Sequence, residues 1–156
     1  MALKEKGLIP ILREYLYEWE NRNDIHVNLS VSQERSLPLE IEQALYRISQ
    51  ESLANIARHS QASQVSIELK YNGEYVELVL SDNGCGFTPK QKPAGVGLRT
   101  MQERAVMIGG SLDIDSSPGR GTRIRVRAPI RYRDISIPNG NNGGQNGSSN
   151  HHPARG

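Results

Sequence analysis

Sulfur and aromatic rings are scarce in this sequence: one cysteine, one tryptophan and one phenylalanine stand among 156 residues. The single Cys85 cannot close a disulfide within the chain, so nothing here calls for an oxidising compartment. An excess of one charge sign is missing as well. The 19 Lys and Arg against 17 Asp and Glu leave a net charge of +2, too near neutral to attract nucleic acid through its field. No apolar run approaches the roughly 20 residues of a membrane-spanning helix. The opening Met1-Ala2-Leu3-Lys4-Glu5-Lys6 lacks the apolar core of a secretion signal. No internal repeat is present. These absences lead us to expect a soluble, cytoplasmic chain that touches neither membrane nor nucleic acid. The length suits one domain with a real core, and 36% hydrophobic with 23% charged residues suits a globular protein carrying one unusually polar segment.

The hydropathy pattern supplies the elements. Leu8, Leu12, Tyr15, Leu16 and Trp19 recur at helical spacing over residues 8–22. Ile25, Val27, Leu29 and Val31 alternate with polar residues, as in a half-buried strand. Ser36 is a candidate N-cap and Pro38 suits a first helical turn. A long helix is expected over 38–60, with Ile41, Leu45, Ile48, Ser52 and Ile56 as one stripe. Residues 65–70 and 75–81 alternate again, and Asn72-Gly73 between them signals a two-residue hairpin. Residues 88–94 are polar with two prolines and read as an excursion. Gly95-Val96-Gly97 opens another helix, whose face carries Leu98, Met101, Ala105 and Ile108 and which Gly109-Gly110 ends. Two strands follow, over 111–115 and 122–130, joined by the Ser117–Gly121 turn. This order, α-β-α-β-β-loop-α-β-β, predicts a two-layer α/β sandwich with a mixed, mainly antiparallel sheet and helices on one face. Residues 1–7 read as a linker and 8–133 as the folded domain. Residues 134–156 read as a polar tail that cannot offset its ordering entropy by burial.

Four segments carry chemistry. On a helix, Glu51, Asn55 and Arg58 fall within an arc of about 60° at ~100° per residue, with His59 at its edge. A carboxylate there can orient a nucleophile or take its proton. An amide oxygen suits Mg²⁺, and a guanidinium suits phosphate. Asp82-Asn83-Gly84-Cys85-Gly86-Phe87 ends a strand in an acid and two glycines, where a ligand can approach the main chain. Gly95-Val96-Gly97-Leu98 places glycines at a helix N-terminus, an anion site. It is neither a dinucleotide fingerprint nor a P-loop, since it lacks a third glycine and no Gly-Lys-Ser/Thr occurs. Gly119-Arg120-Gly121-Thr122 begins the last strand with a hydroxyl. Each segment alone also has a plainer reading: a solvated helix face, an Asx-turn, a helix start, a hairpin corner.

Together and in this order, they resemble the ATP-binding domain of the gyrase, Hsp90, histidine kinase and MutL superfamily, the Bergerat-type fold. Glu51–His59 looks like its N box. Asp82–Phe87, Gly95–Leu98 and Gly119–Thr122 look like its three glycine boxes. The runs Gln50–Asn55, Gly97-Leu98-Arg99-Thr100-Met101-Gln102-Glu103-Arg104-Ala105 and Ser117–Thr122 are similar to the nitrate-sensor and desaturase-sensor group of bacterial sensor histidine kinases. The resemblance implies that ATP and Mg²⁺ bind here. Asp82 would hold the adenine amine, with Gly84 and Gly86 shaping its pocket and Thr122 reaching it through water. Asn55 would coordinate Mg²⁺, and Arg58 and His59 would contact phosphates. Gly95 and Gly97 would let a lid over 88–97 close on them, with Leu98 also at the nucleotide. Glu51 would assist attack by a histidine on the γ-phosphate. None of His26, His59, His151 and His152 is followed by an acid, unlike the phosphoacceptor of that group. The expected partners are therefore a phosphoacceptor dimerisation domain absent from this chain and a response regulator downstream. The expected isolated chain binds ATP without phosphorylating itself. Two further readings fit the length: an anti-sigma-factor-type serine kinase and a non-catalytic nucleotide-sensing module.

Overall fold

The computed structural model describes residues 2–88 and 96–130. The elements run α1 (Ala2–Lys6), α2 (Leu8–Asn23), β1 (His26–Ser32) and α3 (Leu39–Asn55), which continues into a π-helical turn at Ile56–Ser60. Then come β2 (Gln64–Asn72), β3 (Tyr75–Asp82), α4 (Val96–Met107), β4 (Ser111–Ser116) and β5 (Thr122–Pro129). The five strands form one sheet in the order β1-β2-β3-β5-β4. β1 runs parallel to β2, and the other three pairings are antiparallel. The parallel pair follows from α3, since a chain returning in the same direction needs a long crossover.

Alternation decides which face each strand residue takes. Val65, Ile67, Leu69 and Tyr71 of β2 point to the helix layer, as do Val76, Leu78 and Leu80 of β3 and Ile124, Val126 and Ala128 of β5; all are buried. Register stacks them side by side: Ile67 opposite Leu80, Leu80 opposite Ile124, and Leu78 opposite Val126. Against this surface α3 lays its stripe of Ile41, Leu45, Ile48, Ser52 and Ile56, each buried. From α4, Met101 and Ala105 are wholly enclosed, and the Ser52 hydroxyl lies 3.2 Å from the Met101 sulfur. Fully burying a side chain of the Leu or Ile type contributes about 1.5–3 kcal/mol, so this layer contact is the main source of cohesion. Arg125 bonds Glu77 across the outer face at 3.1 Å, and the Arg127 guanidinium sits 4.2 Å over the Tyr75 ring.

Four local details differ from the sequence expectation. Residues 2–6, expected within a linker, form a short helix that buries Leu3 in the core. Pro38 rather than Ser36 takes the N-cap position of α3, with no side-chain cap bond there. The hairpin loop is Gly73-Glu74, one residue later than Asn72-Gly73. Asn72 still pairs with Tyr75, and its amide oxygen accepts the Tyr75 N–H at 2.8 Å. The long helix also does not stay α-helical to residue 60. Its last five residues widen into the π turn, closed by Gln61 at φ 54. The C-terminus of α4 ends as expected: Gly110 N–H donates to the Ala105 carbonyl and Gly109 N–H to that of Val106, both at 2.9 Å. Gly95, residues 131–133 and the tail from 134 lie outside the described residues. No helix among the described residues is long and apolar enough to cross a membrane.

Candidate functional site

Asp82 is the next inward-facing residue after Val76, Leu78 and Leu80 on β3, so alternation drives a carboxylate into an apolar row. It is 9% exposed. Burial pushes its pKa up, and the backbone N–H groups of Gly84 and Thr122 draw it part of the way back. The Gly84 N–H lies 2.8 Å from Oδ1. Thr122 of β5 stands directly opposite Asp82, and Ser116 of β4 stands opposite Thr122. Acid and two hydroxyls thus form one cross-strand row at the end of the apolar surface.

Above this row opens a cavity of about 390 Å³, within the size range of small-molecule sites. The strands supply Leu80, Asp82, Thr122 and Ile124. The helical side supplies Ser52, Asn55, Ile56, His59 and Ser60, with Gly97 and Leu98 from α4 and Cys85, Gly86 and Phe87 from the loop after β3. One end therefore carries a buried carboxylate and the helical wall carries an amide and an imidazole.

The π turn determines which helix residues reach the cavity. Within it the Ser60 hydroxyl donates to the Ile56 carbonyl at 2.8 Å. The turn widens, and residues beyond Asn55 rotate less per step than an α-helix dictates. Asn55 and His59 consequently line the cavity, whereas Arg58 is exposed and does not. The 60° arc drawn for Glu51, Asn55 and Arg58 holds only up to Asn55. Glu51 lies outside the lining, but its carboxylate is packed against Gly97, where a Cβ would fall on Oε1.

The glycine loop is held from two sides. From β2, the Asn83 amide oxygen accepts the Ser63 and Gln64 N–H groups at 2.9 and 3.0 Å, and its NH₂ donates to the Ser63 hydroxyl at 2.9 Å. The Cys85 N–H donates to the Ser60 carbonyl at 2.7 Å. From the 117–121 turn, Gly119 N–H donates to the Cys85 carbonyl at 2.7 Å. Gly86 has φ +64 and sits so close to Ser117 and Gly121 that a Cβ would overlap the Ser117 carbonyl. Gly84 does not line the cavity; it closes against the Ser60 backbone beneath it.

Of the residues singled out in the sequence, the structure gathers Asn55, His59, Asp82, Gly86, Gly97, Leu98 and Thr122 around one cavity. Ser60, Asn83 and Ser116 were not assigned a role. Asn83 stood in the quoted motif, and an amide flanked by an acid and a glycine is a turn-bracing signal. Ser60 and Ser116 gave no signal, because the Ser60 carbonyl accepts from the Cys85 N–H and the Ser116 hydroxyl from the Phe87 N–H, partners that are distant in the chain.

Comparison with known proteins agrees with this geometry. Residues 40–132 match the family described as histidine kinase-, DNA gyrase B-, and HSP90-like ATPase. The signal transduction histidine-protein kinase/phosphatase DegS of Bacillus subtilis is 36% identical over 138 residues, covering 83% of this chain and 36% of DegS. The sensor protein VraS of Staphylococcus saprophyticus is 37% identical over 135 residues, covering 86% of this chain and 39% of VraS. The chain thus spans well under half the length of these curated relatives. Among solved structures, a blue-light activated histidine kinase of Erythrobacter litoralis has the same fold, with a TM-score of 0.66 at 19% identity over 79% of this chain and 42% of that one. Its cavity, the motifs around it and these matches place the chain in the histidine kinase-, DNA gyrase B- and HSP90-like ATPase family, as a homologue of the sensor histidine kinases.

Proposed function

We propose that this chain binds ATP with Mg²⁺ in the cavity between α3, α4 and the ends of β3 and β5, and donates the γ-phosphate to a histidine on a separate dimerisation domain in the cytoplasm. The observation that carries the reading is Asp82: a buried carboxylate at the closed end of a cavity of about 390 Å³ that suits a donor group on a flat heterocycle. An exocyclic amine is such a donor. Gly84 and Gly86 keep the loop backbone low enough for the ring, and Thr122 stands beside Asp82 to accept a hydrogen bond directly or through water.

The phosphates then extend toward the helical wall. Asn55 offers the amide oxygen for Mg²⁺, which prefers few protein oxygens together with phosphate and water. When bound there, the cation would supply charge neutralisation to the phosphates. His59 lines the same wall, and Arg58, exposed just beyond it, meets phosphate that projects from the mouth. Gly97 and Leu98 at the start of α4 cover the phosphates from the other side, where the helix N-terminus favours anions. Glu51, held beside Gly97, orients the attacking imidazole of the acceptor domain. Phosphoryl transfer requires mainly positioning and charge neutralisation, which these groups supply. A response regulator would take the phosphoryl group onward.

The test has two parts. ATP binding is measured by calorimetry with and without Mg²⁺ for the wild type, Asp82→Ala and Asn55→Ala. Asp82→Ala is expected to weaken binding under both conditions, and Asn55→Ala only the Mg²⁺-dependent part. Trans-phosphorylation of an added dimerisation domain then identifies the acceptor. Acid-labile phosphohistidine supports the reading, and transfer to serine, or unchanged binding in both variants, overturns it.

A further inference from the structure

We propose that Ser116 fixes the Thr122 hydroxyl as a hydrogen-bond acceptor toward the cavity, and that it thereby sets the discrimination between 6-amino and 6-oxo purine nucleotides. The inference rests on the nucleotide reading of the cavity and adds a positioning residue behind its wall.

The argument is a count of protons. The Ser116 Oγ has three neighbours: the Phe87 N–H at 2.9 Å, the Gly121 carbonyl at 3.1 Å and the Thr122 Oγ1 at 2.8 Å. A serine hydroxyl has one proton and two acceptor sites. Phe87 N–H can only donate and the Gly121 carbonyl can only accept. One assignment makes all three contacts hydrogen bonds: Phe87 donates to Ser116, Ser116 donates to Gly121, and Thr122 donates to Ser116. The serine is then saturated, and the only proton on the Thr122 hydroxyl points away from the cavity that Thr122 lines. Toward the ligand, Thr122 presents lone pairs alone.

Asp82, directly across the ladder, also presents acceptor oxygens, one of them already holding the Gly84 N–H. The closed end of the cavity therefore accepts at two adjacent positions. A 6-amino purine brings donors to that end. Its exocyclic nitrogen has two protons, one for each acceptor, whereas a 6-oxo purine brings a carbonyl there, and its single N1–H on that edge reaches only one of the two acceptors and leaves the carbonyl lone pairs facing the other. An unmade hydrogen bond at a buried polar site costs more than a made one contributes, so the penalty falls on the 6-oxo base. Ser116 itself does not line the cavity and acts only through Thr122 and Phe87.

The experiment compares ATP with inosine triphosphate, which differs only at the 6-position and in the adjoining ring proton. Dissociation constants are measured on the 156-residue chain for the wild type, Ser116→Ala, Ser116→Thr and Thr122→Val. The wild type is expected to favour ATP. Ser116→Ala frees the Thr122 hydroxyl to rotate and donate, and the ATP preference is expected to fall about tenfold. Ser116→Thr, which keeps the hydroxyl, is expected to restore the preference. A purely structural serine would weaken both nucleotides together and leave their ratio unchanged, which overturns the proposal. Thr122→Val covers the case in which Ser116→Ala does not fold. Removal of an accepting hydroxyl lowers the ATP preference, whereas removal of a donating one raises it, and a rise overturns the proposal. A wild type that binds ATP with preference while Ser116→Ala keeps the ratio refutes the serine's role alone. A wild type that binds neither nucleotide refutes the nucleotide reading with it.

Discussion

Three glycines around the cavity separate two costs that usually arrive together. Gly119 has φ +79 with nothing within 4 Å of a built Cβ, so alanine there meets only the backbone penalty. That penalty is about 1–2 kcal/mol for an L-residue in the left-handed region. Gly84 lies outside that region, but its Cβ would meet the Ser60 carbonyl and would stand 2.6 Å from the Ser60 Cβ and 2.8 Å from the Asp82 Oδ1. Alanine there carries the packing penalty alone, about 1–3 kcal/mol for an overfilled site. Gly86 has both: φ +64, and a Cβ that overlaps the Ser117 carbonyl and stands 2.8 Å from that of Gly121. If the two costs add, Gly86→Ala loses about 2–5 kcal/mol, a large part of the roughly 5–15 kcal/mol that hold a domain together. Urea unfolding followed by far-ultraviolet circular dichroism gives the three free energies on one scale. The expected order is Gly86 costliest, with Gly119→Ala unaltered in nucleotide affinity because no cavity wall moves. Equal losses at Gly86 and Gly119 would refute the steric reasoning. A Gly84→Ala protein as stable as wild type would show that the Ser60 segment yields freely.

Two further outcomes follow from the polar groups. Burial raises the pKa of Asp82 above its unfolded value, so this residue's stabilising contribution is full below the unfolded value and is lost as pH rises through the folded one. Asp82→Asn keeps an acceptor for the Gly84 N–H and removes the buried charge. Its melting temperature at neutral pH is expected to rise above wild type and to converge with it in acid, while ATP affinity falls about 10- to 100-fold through loss of a charged hydrogen bond; a lower melting temperature at neutral pH refutes this. Asn83→Ala removes all three side-chain bonds to Ser63 and Gln64. The loss expected in urea is about 1–3 kcal/mol, with Asn83→Asp, which keeps the acceptor oxygen, losing less; equal losses would refute the bracing role.

The sheet was readable because its strands alternate cleanly and its hairpins are short. Val65–Leu69, Val76–Leu80 and Ile124–Ala128 each put alternate residues inward, whereas the β2–β3 register was not fixed by this and turns on Gly73-Glu74 rather than Asn72-Gly73. The parallel pairing of β1 was not readable, since alternation in His26–Ser32 fixes a face and not a neighbour. The site motifs were readable as segments, but their assembly was not fully so. Helical periodicity drew Arg58 into line with Asn55, and the pitch changes after Asn55, where the helix widens into the π turn of Ile56–Ser60. No local pattern announces a π turn. Leu3, likewise, sits in a segment too short to show periodicity, and only its contact with the core gives it a place.

The strand order has a consequence for how the molecule is made. Among the described residues β5 is the last strand in sequence, yet it lies between β3 and β4. A chain emerging from the ribosome can zip β2 to β3 at once, but β3 then waits with one edge open until residues 122–129 are synthesised. An open edge with an apolar face is a template for wrong pairing, so the interval before β5 is the exposed period in this protein's synthesis. Thr122 is the first residue of that strand. The wall beside Asp82 is therefore missing for as long as that edge of β3 is open, and the pairing that covers the edge also supplies the wall.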